Sequence, residues 1–151
     1  MIEDKLKKLG FELPPVPQPV ASYVPAMQAG NLVFTSGQLP LRNGEMVYRG
    51  RVGEDVSTEE GQEAARLCVL NCLAAIKGLI GNLENVVQVV KVTGFVNSAP
   101  GFSEQPRVIN GASDLLQEIY GENGRHARAA VGVAALPLNA SVELEMVVAV
   151  K

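Results

Sequence analysis

Two side chains in this sequence are well placed for chemistry: an arginine among small residues and a glutamate among apolar ones. Arg128 stands in Ala-Arg-Ala-Ala-Val-Gly-Val-Ala-Ala. Small neighbours leave room beside a guanidinium, whose fixed fork of donors suits a carboxylate. A solvated arginine at a strand end would read the same way. Glu143 and Glu145 lie two apart, on one face of a strand otherwise made of Val, Leu, Met and Ala. A carboxylate there could orient or activate a water, although either could simply meet solvent or an arginine, and Glu145 is read so. Tyr23 and Ser36 offer hydroxyls that could bond a substrate, and both also suit plain strand positions. Asn110 sits inside a helical pattern despite its poor propensity, which hints at a purpose.

Other chemistries lack their parts. His126 is the sole histidine, so one chain cannot supply a two-histidine ribonuclease mechanism, and a solvated or capping role is favoured for it. Cys68 and Cys72 are four apart in a helical pattern and read as small buried hydrophobes. Zinc would need further Cys or His ligands. The glycines form neither a dinucleotide fingerprint nor a P-loop. Net charge is −3, and Lys5, Lys7 and Lys8 are the only basic cluster, so nucleic acid is a poor fit as main partner. No apolar run is long enough to cross a bilayer, and MIEDKLKKLG has no signal-like apolar core. The expectation is a cytoplasmic, reduced and metal-free protein.

These residues must be positioned by elements that the sequence punctuates clearly. With 151 residues, 47 % apolar and 19 % charged, the chain suits one globular domain over 1–151. Residues 1–20 form a short helix (Ile2 to Leu9, stopped by Gly10) and a proline-rich arm from Phe11 to Pro19. A hairpin of Ser22–Gln28 and Leu32–Gly37 turns at Gly30-Asn31, and a weaker strand covers Glu45–Arg51. Ser57-Thr-Glu-Glu is a capping box opening a helix that Gly81 ends, with Ala65, Cys68, Cys72, Ala75 or Ile76, and Leu79 inward. A valine-rich strand spans Val86–Val96, and a second helix runs from Ser103 to Tyr120. Strands Ala127–Ala135 and Ser141–Val150 close the chain, joined by Leu-Pro-Leu-Asn.

The order β-β-(β)-α-β-α-β-β describes an α+β fold, a single sheet with two main helices. Two helices side by side cover about 20 Å, one face of a five- or six-stranded sheet. Yet Val, Leu and Met fall on both sides of the pleat. The uncovered apolar face must be buried against something, and another copy of the chain is the simplest partner.

Three blocks taken together resemble one family. They are Gly30-Asn-Leu-Val-Phe-Thr-Ser-Gly-Gln-Leu-Pro40, Val92-Thr-Gly-Phe-Val96, and Gly124-Arg-His-Ala-Arg-Ala-Ala-Val-Gly-Val-Ala-Ala-Leu-Pro137 followed by Val142-Glu-Leu-Glu145. They resemble the Rid (reactive intermediate deaminase, YjgF) family, and the likeness runs from about Ser22 to Val150. The resemblance implies a chorismate-mutase-like α+β fold and a homotrimer with sheets facing inward and clefts between subunits. It also implies hydrolysis of enamines and imines such as 2-aminoacrylate to 2-keto acids and ammonia, without metal or cofactor. By that likeness Arg128 binds the substrate carboxylate and Glu143 positions water. Tyr23, Ser36 and Asn110 line the cleft. Ala130 stands where the typical deaminases carry Cys or Ser, leaving only its backbone amide to reach a carboxylate. The longer N-terminus and the stretch around Arg49–Glu60 resemble a separate branch. Two other readings use the same features: a non-catalytic protein or sensor that binds small carboxylates in the same cleft, and an endoribonuclease.

Geometry sharpens the expectation. If Leu136 to Ala140 is a simple hairpin loop, Glu143 pairs near Val133 and stands roughly 15–20 Å from Arg128. Either the two strands are not neighbours, or Arg128 meets a Glu143 from another subunit. The second is preferred.

Overall fold

The computed structural model describes residues 1–18 and 22–151. Pro19 of the arm, with Val20 and Ala21, lies outside them. Helix α1 (Ile2–Lys8) ends beside Gly10 at φ 89°, a left-handed conformation that glycine adopts without strain. The arm then runs from Phe11 to Gln18 without helix or strand, with Val16 packed against Gly78.

The first hairpin pairs β1 (Ala26–Ala29) with β2 (Leu32–Thr35) around Gly30-Asn31. It starts later than the pattern of Ser22–Gln28 predicts, because Pro25 has no N–H to give a ladder. The strand expected over Glu45–Arg51 is instead a separate two-stranded hairpin, β3 (Leu41–Arg42) with β4 (Glu45–Met46), turning at Asn43-Gly44. Helix α2 (Thr58–Ile80) opens on the predicted capping box. The Ser57 hydroxyl accepts the Glu60 N–H at 3.1 Å, and the Glu60 carboxylate accepts the Ser57 N–H at 2.9 Å. Leu79 is not on the inner stripe: it is exposed at the last turn, while Leu67 to Ile76 are buried all round the helix.

Strand β5 (Val86–Asn97) carries two bulges against β7 (Val142–Val150), with Val87 and Val90 as the extra residues. Each extra residue resets the face on which the next one falls. Val86, Val89 and Val92 therefore all point inward although they are three apart, opposite Val150, Val148 and Met146. Helix α3 (Gln105–Tyr120) returns the chain to β6 (Ala127–Val133), which pairs parallel to β5. The main sheet reads β1-β2-β7-β5-β6 and is mixed.

Here the expectation of a hairpin is corrected. β6 and β7 are consecutive in sequence, but β5 lies between them. The loop steps across the end of β5, where the buried Asn97 side chain donates to the Ala140 carbonyl at 3.0 Å and its backbone N–H to Ser141 at 2.9 Å. Leu138 and Asn139 supply the reversal, both left-handed at φ 57° and 58°.

Helices α2 and α3 cover one face of the sheet. Leu73, Ile76, Ile109 and Leu116 are fully buried there against Val92, Leu144 and Met146. Each such side chain stabilises the fold by about 1.5–3 kcal/mol. Glycines set the spacing: a Cβ on Gly111 would strike the Gln62 carbonyl of α2, and one on Gly94 would strike Ile109. The other face is open within one chain, and Met27, Phe34 and Val131 are exposed on it.

Candidate active site

The open face holds the first group of predicted residues. Glu143 pairs with Phe95 and Glu145 with Thr93, which places both carboxylates on the uncovered side of the sheet. The Glu143 side chain crosses directly over Gly37, where any Cβ would collide with its carboxylate. Gly37 is held beside β7 by Gln38, whose N–H donates to the Leu144 carbonyl at 2.8 Å. The adjacent Ser36 hydroxyl donates to the Val24 carbonyl at 2.6 Å. Tyr23, 59 % exposed, joins Ser22, Val24, Met27, Phe34 and Ser36 around an open hollow of about 390 Å³. Burial raises the Glu143 carboxyl above its ordinary value of 4.5, and the neighbouring charge of Glu145 adds to it. Such a carboxyl exchanges protons nearer neutrality, which suits a group that takes a proton from water and returns it.

The second group lies at the sheet edge. Arg128 is in register with Val92, an inward-facing residue, so its side chain rises toward α3. Its Nη1 donates to Asn110 Oδ1 at 2.8 Å and to Ser113 Oγ at 3.1 Å. Both contacts use the same nitrogen. Among the described residues nothing else is bonded to the guanidinium, which leaves its remaining donors for a bidentate carboxylate. Asn110 is thus tied to Arg128 through its carbonyl oxygen. Ala130 sits opposite Gly94 with its methyl packed on the core, and offers no side-chain donor beside Arg128.

The two groups do not meet within one chain. Val92 and Phe95 are an odd number of residues apart on a regular stretch of β5, so Arg128 and Glu143 project from opposite faces. Their backbones are two strands and three residues apart, about 14 Å at ordinary sheet spacings. The strands are therefore not neighbours, and the gap remains.

Two supporting residues escaped the pattern reading. Ser113 lies one turn beyond Asn110 on the same face of α3, an i,i+3 relation visible in the sequence. His126 is not simply solvated: its Nε2 lies 2.9 Å from Ser113 Oγ and its Nδ1 2.6 Å from the Gly124 carbonyl. Cys68 and Cys72 are fully buried, as expected, and desolvation holds both thiols above their ordinary range, Cys72 at about 12. Among the described residues no helix is long and apolar enough to cross a membrane, and no cluster of three metal-ligating side chains occurs.

Comparison with known proteins accords with this architecture. A solved structure of Atu1372 from Agrobacterium tumefaciens, described as of unknown function, is 50 % identical. It superposes with a TM-score of 0.92 over 99 % of this chain and 91 % of that one. Protein TCP17 of Trypanosoma cruzi is 44 % identical over 144 residues, 95 % of this chain and 90 % of its own. A 2-iminobutanoate/2-iminopropanoate deaminase of Dermatophagoides farinae is 31 % identical over 140 residues, 91 % and 93 % of the two chains. The model of the family described as "YjgF/chorismate mutase-like, putative endoribonuclease" matches residues 3–149, and the chain belongs to that family.

Proposed function

We propose that this protein hydrolyses small imines that bear a carboxylate, at sites assembled between copies of the chain in a homotrimer. One observation carries the reading. Arg128 and Glu143 project from opposite faces of one sheet, about 14 Å apart, so a substrate of a few carbons needs them from two chains. The open face bearing Glu143 is apolar enough to seat a second copy.

In this scheme Arg128 grips the carboxylate and fixes the C=N carbon beside a water held by Glu143. The water oxygen bonds to that carbon while Glu143 takes its proton, and the C=N electron pair passes to nitrogen. Glu143 returns the proton to nitrogen. The carbinolamine's hydroxyl proton then passes through Glu143 to nitrogen, the C–N electron pair leaves with that nitrogen as the C=O bond forms, and a 2-keto acid and ammonia depart. An enamine such as 2-aminoacrylate enters after protonation at its terminal carbon. The D. farinae relative's name specifies substrates of this class.

Mixing separately inactive chains tests the reading. Imine generated in situ by an amino-acid oxidase is followed by stopped flow with Arg128→Ala, Glu143→Ala, and the two co-refolded. Each variant alone should leave decay at the buffer rate. Random trimers should recover about a quarter of the wild-type rate, since half the arginines and half the glutamates survive at each shared site. No recovery on mixing defeats the shared site. Buffer-rate decay with the wild type, over several amino-acid-derived imines, defeats the enzyme reading.

A second reading has its own support. Arg128 can hold a carboxylate whether or not turnover follows, and Ala130, packed on the core, supplies no side chain beside it that could take part in a reaction. A 2-keto acid that raises the melting temperature without any imine being consumed would support it. Ribonuclease chemistry finds little here: both ring nitrogens of the sole histidine are engaged, and net charge is −3.

A further inference from the structure

The hydrogen bonds behind Arg128 have a forced direction. A carbonyl oxygen only accepts, so His126 Nδ1, 2.6 Å from the Gly124 carbonyl, must carry a hydrogen. In the neutral ring Nε2 is then a bare acceptor, and the Ser113 hydroxyl 2.9 Å away must donate to it. With its only proton committed, the Ser113 oxygen turns its lone pairs outward. Arg128 Nη1 donates to that oxygen at 3.1 Å.

The anchor is rigid. Gly124 is buried at the end of a 3-10 turn (Gly121–Gly124) that packs on the backbone of α3, where a Cβ would strike the Leu116 carbonyl. Ser113 is only 6 % exposed, so water does not readily replace the imidazole as its acceptor. One fixed carbonyl thus sets three bonds in sequence.

We infer that Ser113 and His126 are positioning residues for Arg128. The imidazole, locked as its Nδ1–H tautomer, orients the Ser113 hydroxyl to hold Nη1 and leave the other guanidinium donors for the ligand carboxylate. The kinetic part of this inference rests on the imine-hydrolase reading; the tautomer does not. Neither residue touches the reacting atoms. Asn110 alone would hold Nη1 by one bond and leave the side chain free to swing about it.

The sole histidine makes the test clean. Protein labelled with 15N only in histidine gives one pair of ring nitrogens by long-range proton–nitrogen correlation. In neutral to mildly alkaline buffer the wild type should show Nδ1 protonated and Nε2 bare, the less common tautomer of free histidine. An Nε2–H tautomer overturns the proposal. Ser113→Ala and His126→Asn, the latter keeping a donor to Gly124 but no acceptor for Ser113, should raise KM for the imine about tenfold with kcat within about threefold. His126→Gln, whose side chain can place an acceptor near the Nε2 position, should stay within about threefold of wild-type KM. Unchanged KM in both Ser113→Ala and His126→Asn also overturns it. Affinity for unreactive 2-oxobutanoate, by calorimetry, should fall in parallel. If the wild type hydrolyses no imine, that ends the deaminase reading alone. The tautomer measurement, made on unmodified protein, still decides the relay.

Discussion

Around Arg128 the chain supplies its own partners: Nη1, Ser113 Oγ and both His126 nitrogens are all bonded within it. Around Glu143 none of the described residues donates to the carboxylate, and its surroundings are a glycine, a second carboxylate and exposed apolar side chains. The first region is preorganised by the fold of one chain, at a sheet edge backed by a helix. The second is a half-buried acid on a face that nothing in the chain covers. A group that binds charge gains from being fixed beforehand. A group that must both lose and accept a proton gains from being poorly stabilised in its charged form.

The largest expected effect is on the preorganised side. Arg128→Ala should lower kcat/KM for imine hydrolysis about a thousandfold, measured by stopped flow, because charge and geometry are lost together. Next comes the uncovered face. Val131→Glu, exposed within one chain, should leave the monomer folded by circular dichroism. It should nonetheless shift sizing profiles to monomer and cut activity by about a hundredfold, since an unpaired charge would be buried between copies. A full-sized, fully active Val131→Glu protein would mean that this face is not shared. Gly37→Ala is subtler. The backbone tolerates alanine there, but its Cβ must push the Glu143 carboxylate aside. We expect kcat to fall about tenfold with KM little changed.

The smallest effect separates the two regions by pH. The Glu143 carboxyl is raised, so the stability it contributes is complete below the ordinary range near 4.5 and is lost as pH rises through its own value. Glu143→Gln should therefore match the wild type at acid pH and exceed it at neutral pH. The gain should stay under about 3 °C in melting temperature, because the group is half exposed and screened. A gain that grows toward acid pH would contradict the raised carboxyl.

Much of this arrangement is legible in the sequence where local chemistry decides it. The Ser57–Glu60 capping box, Gly81, and the Gly30-Asn31 turn each mark a boundary through contacts a few residues long. Arg128 and Glu143 stand out because charge is rare in their strands. The strand order was not legible. The short loop Leu136 to Ala140 reads as a hairpin, whereas the distant Asn97, bonding Ala140 through its side chain and Ser141 through its backbone N–H, holds the link where it crosses β5. The bulges at Val87 and Val90 hide the inward face for a similar reason, since alternation fails where the ladder gains a residue. Leu79 follows the helical period, but the helix outruns the surface it packs on. Ser113 was within reach through its spacing from Asn110. His126 was not, because its role depends on a carbonyl that the fold brings to it.

Strand β6 is the last strand of the sheet, and Arg128 is the only charged residue among its seven. A smooth, uncharged edge is a template for extended chain, whether a folding neighbour or a fragment of a damaged one. A charged side chain on an edge strand works against such pairing, and a short strand offers little length to pair with. Arg128 is thus the one gatekeeper-type charge in this edge strand. Substituting it should lower the yield of soluble protein in cells as well as the rate, so variants at this position are best compared per folded molecule.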